Sequence, residues 1–328
     1  MPAGIENNQM SYKGAEPWHG LGVRVDESAT GMQMLDAAGL NWRVQRRALA
    51  MRGTDGVSLK SETLKEFRAI VRSDNDHVFQ VSSARYQLVQ NEQIINLFNE
   101  FCEAGHAKME TVGALHGGSV VWALAKMNGG SEMTLAGDDK LNGYIMLSTS
   151  HDGSVQTEGR GTQVRVVCQN TFNAARSAGK APFKLKHSST FSKEKQDECR
   201  AMMARELEHV IRANENARIL SQVRIDESDW LDFMTRLLGE DKVIDPKSAE
   251  LTRMAGDIKD ATLMSPGSQL VSAKGTLWGA VNGVTYFADH QRGRTADTRM
   301  MSAWFGDSDI LKNTAVNVAL EMATAGGR

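Results

Sequence analysis

Apolar residues first recur with helical spacing between Ala29 and Gly39, with Thr30 as the expected N-cap and Gly39 as the stop. Asn41 to Met51 reads as an arginine-rich strand, and Asp55-Gly56 as a hairpin turn into Val57 to Leu59. From His77 to Gln90 the apolar positions suggest extended chain, broken near Ser82 to Arg85. Asn91 is then expected to cap a helix over Glu92 to Ala104, in which Ile94, Ile95, Leu97, Phe98 and Phe101 share a face and Gly105 ends the run. Between Met109 and Cys168, strand-like runs alternate with glycine-rich turns too closely for parallel crossovers, which predicts an antiparallel sheet. Its strands are expected at Met109 to Leu115, Ser119 to Met127, Leu141 to Thr149 and Thr162 to Cys168, followed by a helix over Phe172 to Ala178.

Beyond Pro182 the period changes. Cys199, Met203, Leu207, Val210, Ala217 and Leu220 line one face of a long helix. Ser228 to Leu238, a segment starting at Pro246, Leu277 to Ala288 and Ile310 to Met322 are expected helices, with Ser265-Pro266-Gly267-Ser268 as a separator. The fold class is therefore α+β: a central antiparallel β-sheet with packed helices, followed by a mainly helical C-terminal half. The expected division is an N-terminal arm over 1–30, an α+β core over 31–192 and a helical region over 193–328.

Composition narrows the function classes. A 328-residue chain with 41% hydrophobic and 24% charged residues can bury a sizeable core. Its apolar runs fall short of the roughly 20 residues of a membrane span, and its first dozen residues lack the pattern of a signal peptide. No membrane partner is expected. Three widely spaced cysteines, Cys102, Cys168 and Cys199, propose neither a disulfide framework nor a CxxC metal site, which fits a reducing cytoplasm. The chain has neither a GxxxxGK[ST] loop nor a GxGxxG turn, which disfavours ATP-driven work, and no cofactor is expected.

Net charge is only −2, so any affinity for a polyanion must come from local clustering. Such clustering exists. From Gly159 to Lys193 stand Arg160, Arg165, Arg176, Lys180, Lys184, Lys186 and Lys193, with no Asp or Glu among them. If all seven met phosphates of a single strand, log affinity would fall against log salt with a slope of about −5. Phe172, Phe183 and Phe191 are interspersed, as in proteins that stack bases while cations follow the backbone. A second acid-free stretch, Ala37 to Thr54, carries Arg43, Arg46, Arg47 and Arg52; strand alternation would put Arg43 and Arg47 on one face with Gln45. Against these stand the ordinary fluctuation of charge along any chain and the usual place of Phe172 and Trp42 in a core. His151 and Asp152, with Asp138 and Asp139 one loop earlier, form the alternative constellation, a metal site, although Asp-Gly and Asp-Asp more often serve turns.

The segment His151-Asp152-Gly153-Ser154 followed by Val164-Arg165-Val166-Val167-Cys168-Gln169-Asn170-Thr171 resembles the phage- and plasmid-encoded domain-of-unknown-function family 932. So do Trp18, Gly20 and Gly22, Ser82 to Tyr86 with Gln90-Asn91, Gly113 with Gly117-Gly118 and Trp122, Thr276 to Trp278, Asp289-His290 and Phe305-Gly306. The resemblance implies mobile-element DNA metabolism. A weaker, fold-level analogy is to single-strand annealing proteins of the RecT, Red-beta and Rad type, with a curved sheet, a helix across it and a basic groove.

The leading expectation is an ATP-independent protein that binds and anneals single-stranded DNA in recombination or repair. Its partners would be single-stranded DNA and further copies of itself, in a ring or filament within the bacterial cytoplasm. Arg160, Arg165, Arg176, Lys180, Lys184 and Lys186 are the expected phosphate contacts, extended by Arg43, Arg46 and Arg47. The alternatives are a metal-dependent enzyme on nucleic acid through His151, Asp152, Asp138 and Asp139, and a phage protein that binds a host defence factor.

Overall fold

The computed structural model describes residues 9–14, 21–54, 59–60, 64–165, 167, 170–173, 183–185 and 193–325. Its centre is a nine-stranded, mostly antiparallel sheet. Strands β1 (Met10–Tyr12) and β2 (Val23–Arg24) join it near the start of the chain. Met10 and Tyr12 are buried and β1 pairs antiparallel with Gly113 to Thr111, so this part of the expected arm belongs to the sheet; Trp18 lies outside the described residues.

Helix α1 (Gly31–Ala37) starts at Thr30, whose side chain accepts from the Gln33 amide while Gln33 answers the Thr30 amide. Strands β3 (Val44–Ala48), β4 (Met51–Arg52), β5 (Leu59–Lys60), β6 (Phe67–Arg72) and β7 (Val78–Ser83) follow. Of these, β3, β6 and β7 form a separate three-stranded antiparallel sheet. The Asp55-Gly56 turn lies outside the described residues, although β4 and β5 on either side of it pair antiparallel.

Helix α2 (Asn91–Glu103) is capped by Gln90, one residue earlier than expected. Asn91 is instead a buried tie: its Nδ2 donates to the Leu40 carbonyl at 2.9 Å and its Oδ1 lies 2.8 Å from His151 Nε2. Strands β8 (Ala107–Leu115), β9 (Val120–Met127), β10 (Met133–Leu135), β11 (Asp139–Ser150) and β12 (Thr157–Arg165) build the expected meander. Strand β12 begins five residues earlier than Thr162, which draws Gly159 and Arg160 into the sheet. Strands β13 (Asn170–Asn173) and β14 (Phe183–Leu185) both pair with β12, so Phe172 and Asn173 are extended where the expected helix begins; 174–178 lie outside the described residues.

The C-terminal half is helical. Helix α3 (Lys193–Gln222) runs across β11 and β12. Gly143 and Gly161 admit it: a Cβ at either would come within 2.4 or 2.9 Å of Val210. The Gly161 amide donates to Glu206 at 2.7 Å, and Gln163 Nε2 to Asn214 at 2.6 Å. Helix α4 (Glu227–Leu238) follows, with Asp226 as its cap. Pro246 sits in a turn, and helix α5 (Arg253–Met264) starts only after Thr252, whose hydroxyl caps it. Helix α6 (Leu277–Tyr286) runs into one π-helical turn at Phe287–Gln291. Helices α7 (Ala296–Phe305) and α8 (Asp307–Ala325) follow, and the apolar spacing of the sequence predicts only the second.

Helices α2 and α3 cover one face of the large sheet, while α7 and α8 cover part of the other, where Trp304, Phe305 and Met301 pack toward Trp122 and Leu124. Strand β12 therefore has protein on both sides.

Candidate nucleic-acid interface

That double cover decides the fate of the basic stretch. Arg165 is fully buried. Its Nε meets both carboxylate oxygens of Asp139 at 2.8 and 3.0 Å, and its Nη2 donates to the Gly267 carbonyl at 2.9 Å. Asp139 in turn accepts from Ser272 Oγ at 2.6 Å and Trp278 Nε1 at 3.3 Å. Arg160 is 4% exposed, donates to the Trp304 carbonyl, lies over the Phe305 ring at 4.8 Å, and has Glu158 at 3.7 Å and Asp309 at 4.0 Å. Neither guanidinium stands on an open surface. The expectation that Arg160 and Arg165 contact phosphates is corrected on this ground: both are enclosed in the core and matched by carboxylates distant in sequence or just outside the acid-free window. Arg176, Lys180 and Lys186 lie outside the described residues, as does the side chain of Lys184.

The metal constellation disperses as well. Asp139 is engaged by Arg165. His151 is buried against Asn91, Trp42 and Phe79. Asp152 accepts from the amide and hydroxyl of Ser154, closing a turn. Asp138 has a φ of 62° in its own turn and lies 3.6 Å from Lys140. Among the described residues, no group of three or more His, Cys, Asp or Glu is arranged to hold a metal ion. The Cys102 thiol, largely buried, is pushed up to about 12 by desolvation, which suits core packing rather than nucleophilic attack.

A second buried polar cluster joins β13 to α8. Lys312 Nζ lies 2.6 Å from Asp289 Oδ1 and 3.2 Å from Thr171 Oγ1, and Asp289 Oδ2 accepts from the Thr171 amide at 2.8 Å and hydroxyl at 3.0 Å. Beside it, Arg160, Thr162, Asp309 and Lys312 border a cavity of about 30 Å³, room for a water-sized group.

The arginines of β3 present a different environment. Direct cross-strand partners share a sheet face, and Arg47 is aligned with Ala69 and Val81, Gln45 with Val71 and Val78, while Phe67 stands one row further on. Arg43 continues this alternation, tied to Ser73 by backbone and hydroxyl. The opposite face carries Val44 and Ile70 into the core, and Trp42, stacked under Arg72 at 4.5 Å, is core too. The outward face thus offers Arg43, Gln45 and Arg47 on one side of the buried Ala69 and Val71, with Phe67, Val78 and Val81, 47%, 53% and 55% exposed, at its end and other side. Arg43 has Glu92 at 3.6 Å and Arg47 has Asp76 at 3.1 Å, all four side chains more than half exposed. Such surface pairs hold only about 0–1 kcal/mol and leave the guanidiniums available to a stronger anion. Arg46 lies on the other face, exposed at its edge, and donates to the Tyr86 carbonyl at 2.5 Å.

Residues 78–314, well over half of the chain, match a family model described as a domain of unknown function, DUF932. The chain belongs to the DUF932 family. No curated protein matches it, and no solved structure does. Within the matched DUF932 region several residues that carried the resemblance meet in space: Asn91 with His151, Thr171 with Asp289, and Gly113 with Trp122, whose ring a Cβ at Gly113 would approach to 2.7 Å. These are contacts inside the core. The exposed face of the small sheet depends partly on residues ahead of position 78, so a DUF932 match by itself says little about it. Among the described residues of this DUF932 protein, no helix is long and apolar enough to cross a membrane.

Proposed function

We propose that this DUF932 protein binds single-stranded DNA and anneals complementary strands without ATP, as a homo-oligomer in the bacterial cytoplasm. The observation that carries the proposal is the outward face of the small sheet, where Arg43 and Arg47 share a surface with exposed Val78 and Val81 and, one row beyond Arg47, exposed Phe67. Single-strand binders combine cations that follow the phosphates with apolar or aromatic surface on which bases stack, and each stacked base contributes about 1–3 kcal/mol. A duplex hides its base faces and gains nothing from Phe67. Support of a more general kind comes from the antiparallel meander β8-β9-β11-β12 with α3 laid across it, the order of elements in annealing proteins; that is a likeness of architecture alone.

The test is fluorescence anisotropy of a labelled oligonucleotide titrated with the protein at several salt concentrations. Binding that weakens steeply with salt, and that is lost in the Arg43→Gln, Arg47→Gln, Phe67→Ser triple variant with folding intact, is the expected result. Binding untouched by that variant would overturn the assignment of this face, and no binding at any salt would overturn the function.

A further inference from the structure

A cleft of about 480 Å³ opens at the other end of α3, between its last turns, β10 and the segment around Val271. Its size falls in the range of small-molecule sites, roughly 300–1,000 Å³. The two walls differ in chemistry. One carries Arg218, Ser221, Gln222 and Arg224 from the end of α3 and the residues just after it; the other carries Met133, Leu135 and Val271.

Both guanidiniums have partners within the protein. Glu215 takes Arg218 Nε at 2.8 Å and Nη2 at 2.6 Å, and the Lys274 carbonyl takes Arg224 Nη1 at 2.6 Å. Arg224 is further fixed by its backbone bridge to Thr276. A guanidinium has five N–H donors, so these braces orient each fork and leave donors for a ligand. Glu215 occupies the Nε–Nη2 edge of Arg218, so a phosphate would meet its remaining Nη donors and the Nε–Nη2 edge of Arg224, whose planar geometry suits paired oxygens better than an ammonium would. Across from them, Val271 is 58% exposed although it is apolar, and Leu135 forms a buried floor. Ser221 Oγ donates to the Arg218 carbonyl, which leaves its oxygen as an acceptor. A phosphate at one wall, a flat apolar body at the other and hydrogen-bonding edges between them describe a nucleotide.

We propose that this cleft binds a mononucleotide unit, its phosphate on Arg218 and Arg224 and its base against Val271 and Met133. The unit is either a free nucleoside monophosphate or the phosphorylated end of a DNA strand. The site is separate from the small sheet and stands or falls without it.

Calorimetric titration of the full chain with dAMP tests the site, with adenosine and inorganic phosphate as partial ligands. Saturable dAMP binding is expected, and weakening by about tenfold in both Arg224→Gln and Val271→Asp, the loss of one charged hydrogen bond or of the apolar wall. Val271 is exposed, so its variant keeps the fold, which thermal unfolding checks. Oligonucleotides with and without a 5′-phosphate, used as competitors of dAMP, assign the source: stronger competition by the phosphorylated strand identifies a strand end, and weak, equal competition a free nucleotide. Absence of saturable dAMP binding in the millimolar range, or affinity unchanged in both variants, would overturn the proposal. The Arg43→Gln, Arg47→Gln pair is expected to leave dAMP binding intact, so failure here and failure of the small-sheet reading are told apart.

Discussion

Strands β12 and β3 each carry two arginines, yet they do opposite things with them. On β12, Arg160 points to one face and Arg165 to the other, and both are buried because helices lie on each side. On β3, Arg47 points away from the core side that buries Val44 and Ile70, and its side chain stays in solvent. The environment, not the residue type, decides whether an arginine is a tie or a contact. A buried guanidinium survives only where carboxylates and carbonyls replace its water. Asp139 and the Gly267 carbonyl do so for Arg165, and the Trp304 carbonyl with nearby Glu158 and Asp309 for Arg160.

The contrast can be broken in four experiments. Arg165→Ala leaves Asp139 charged and buried and is expected to cost about 3–5 kcal/mol of folding stability, read by denaturant unfolding; a stable variant with weaker DNA binding would return Arg165 to the surface. Phe67→Ala is expected to weaken oligonucleotide binding by about 1–3 kcal/mol while shifting stability within about 0.5 kcal/mol, measured by anisotropy and by thermal unfolding. Replacing Arg43 and Arg47 by Gln is expected to make the log-affinity against log-salt slope shallower by about 1.4, two phosphate contacts of a single strand.

The smallest effect concerns Glu110, the bulged residue of β8, which the large sheet half-buries. Desolvation raises its pKa above the ordinary 4.5, opposed by a hydrogen bond from Tyr144 and by Lys126 and Lys108. The unfolded chain therefore releases this proton first, and stability falls as pH climbs from about 4.5 through the folded-state value. Glu110→Gln is expected to flatten that part of the stability profile, and an unchanged profile would remove Glu110 from the cause.

Periodicity made much of the fold legible. The face Met203, Val210, Ala217 and Leu220 of α3 is buried as its spacing predicted, and the glycine turn at His116 to Gly118 separates β8 from β9. Helix α7 escaped because Ala296 to Phe305 mixes Asp, Arg and Met without a clear apolar stripe. Asn170 to Asn173 was misread because a polar segment following a strand looks like a helix cap, whereas its pairing with β12 is a long-range fact. The site was less legible for the same reason. Lack of acids between Gly159 and Lys193 is a property of the window, and Asp139 and Asp309 enter it only through folding. The pairing of Arg43, Gln45 and Arg47 on one face could be read from alternation; Phe67 joining them could not, because β6 was not foreseen.

The carboxylate of Asp139 also sets a timetable. During synthesis it emerges with Arg165 close behind, but Ser272 follows 133 residues after it and Trp278 139 residues after. A nascent chain that has closed its sheet therefore holds an ion pair whose remaining donors and apolar cover have yet to be synthesised. The last third of the chain completes this interior, so partial translation products that end before α6 are expected to leave the ion pair uncovered and to attract chaperones.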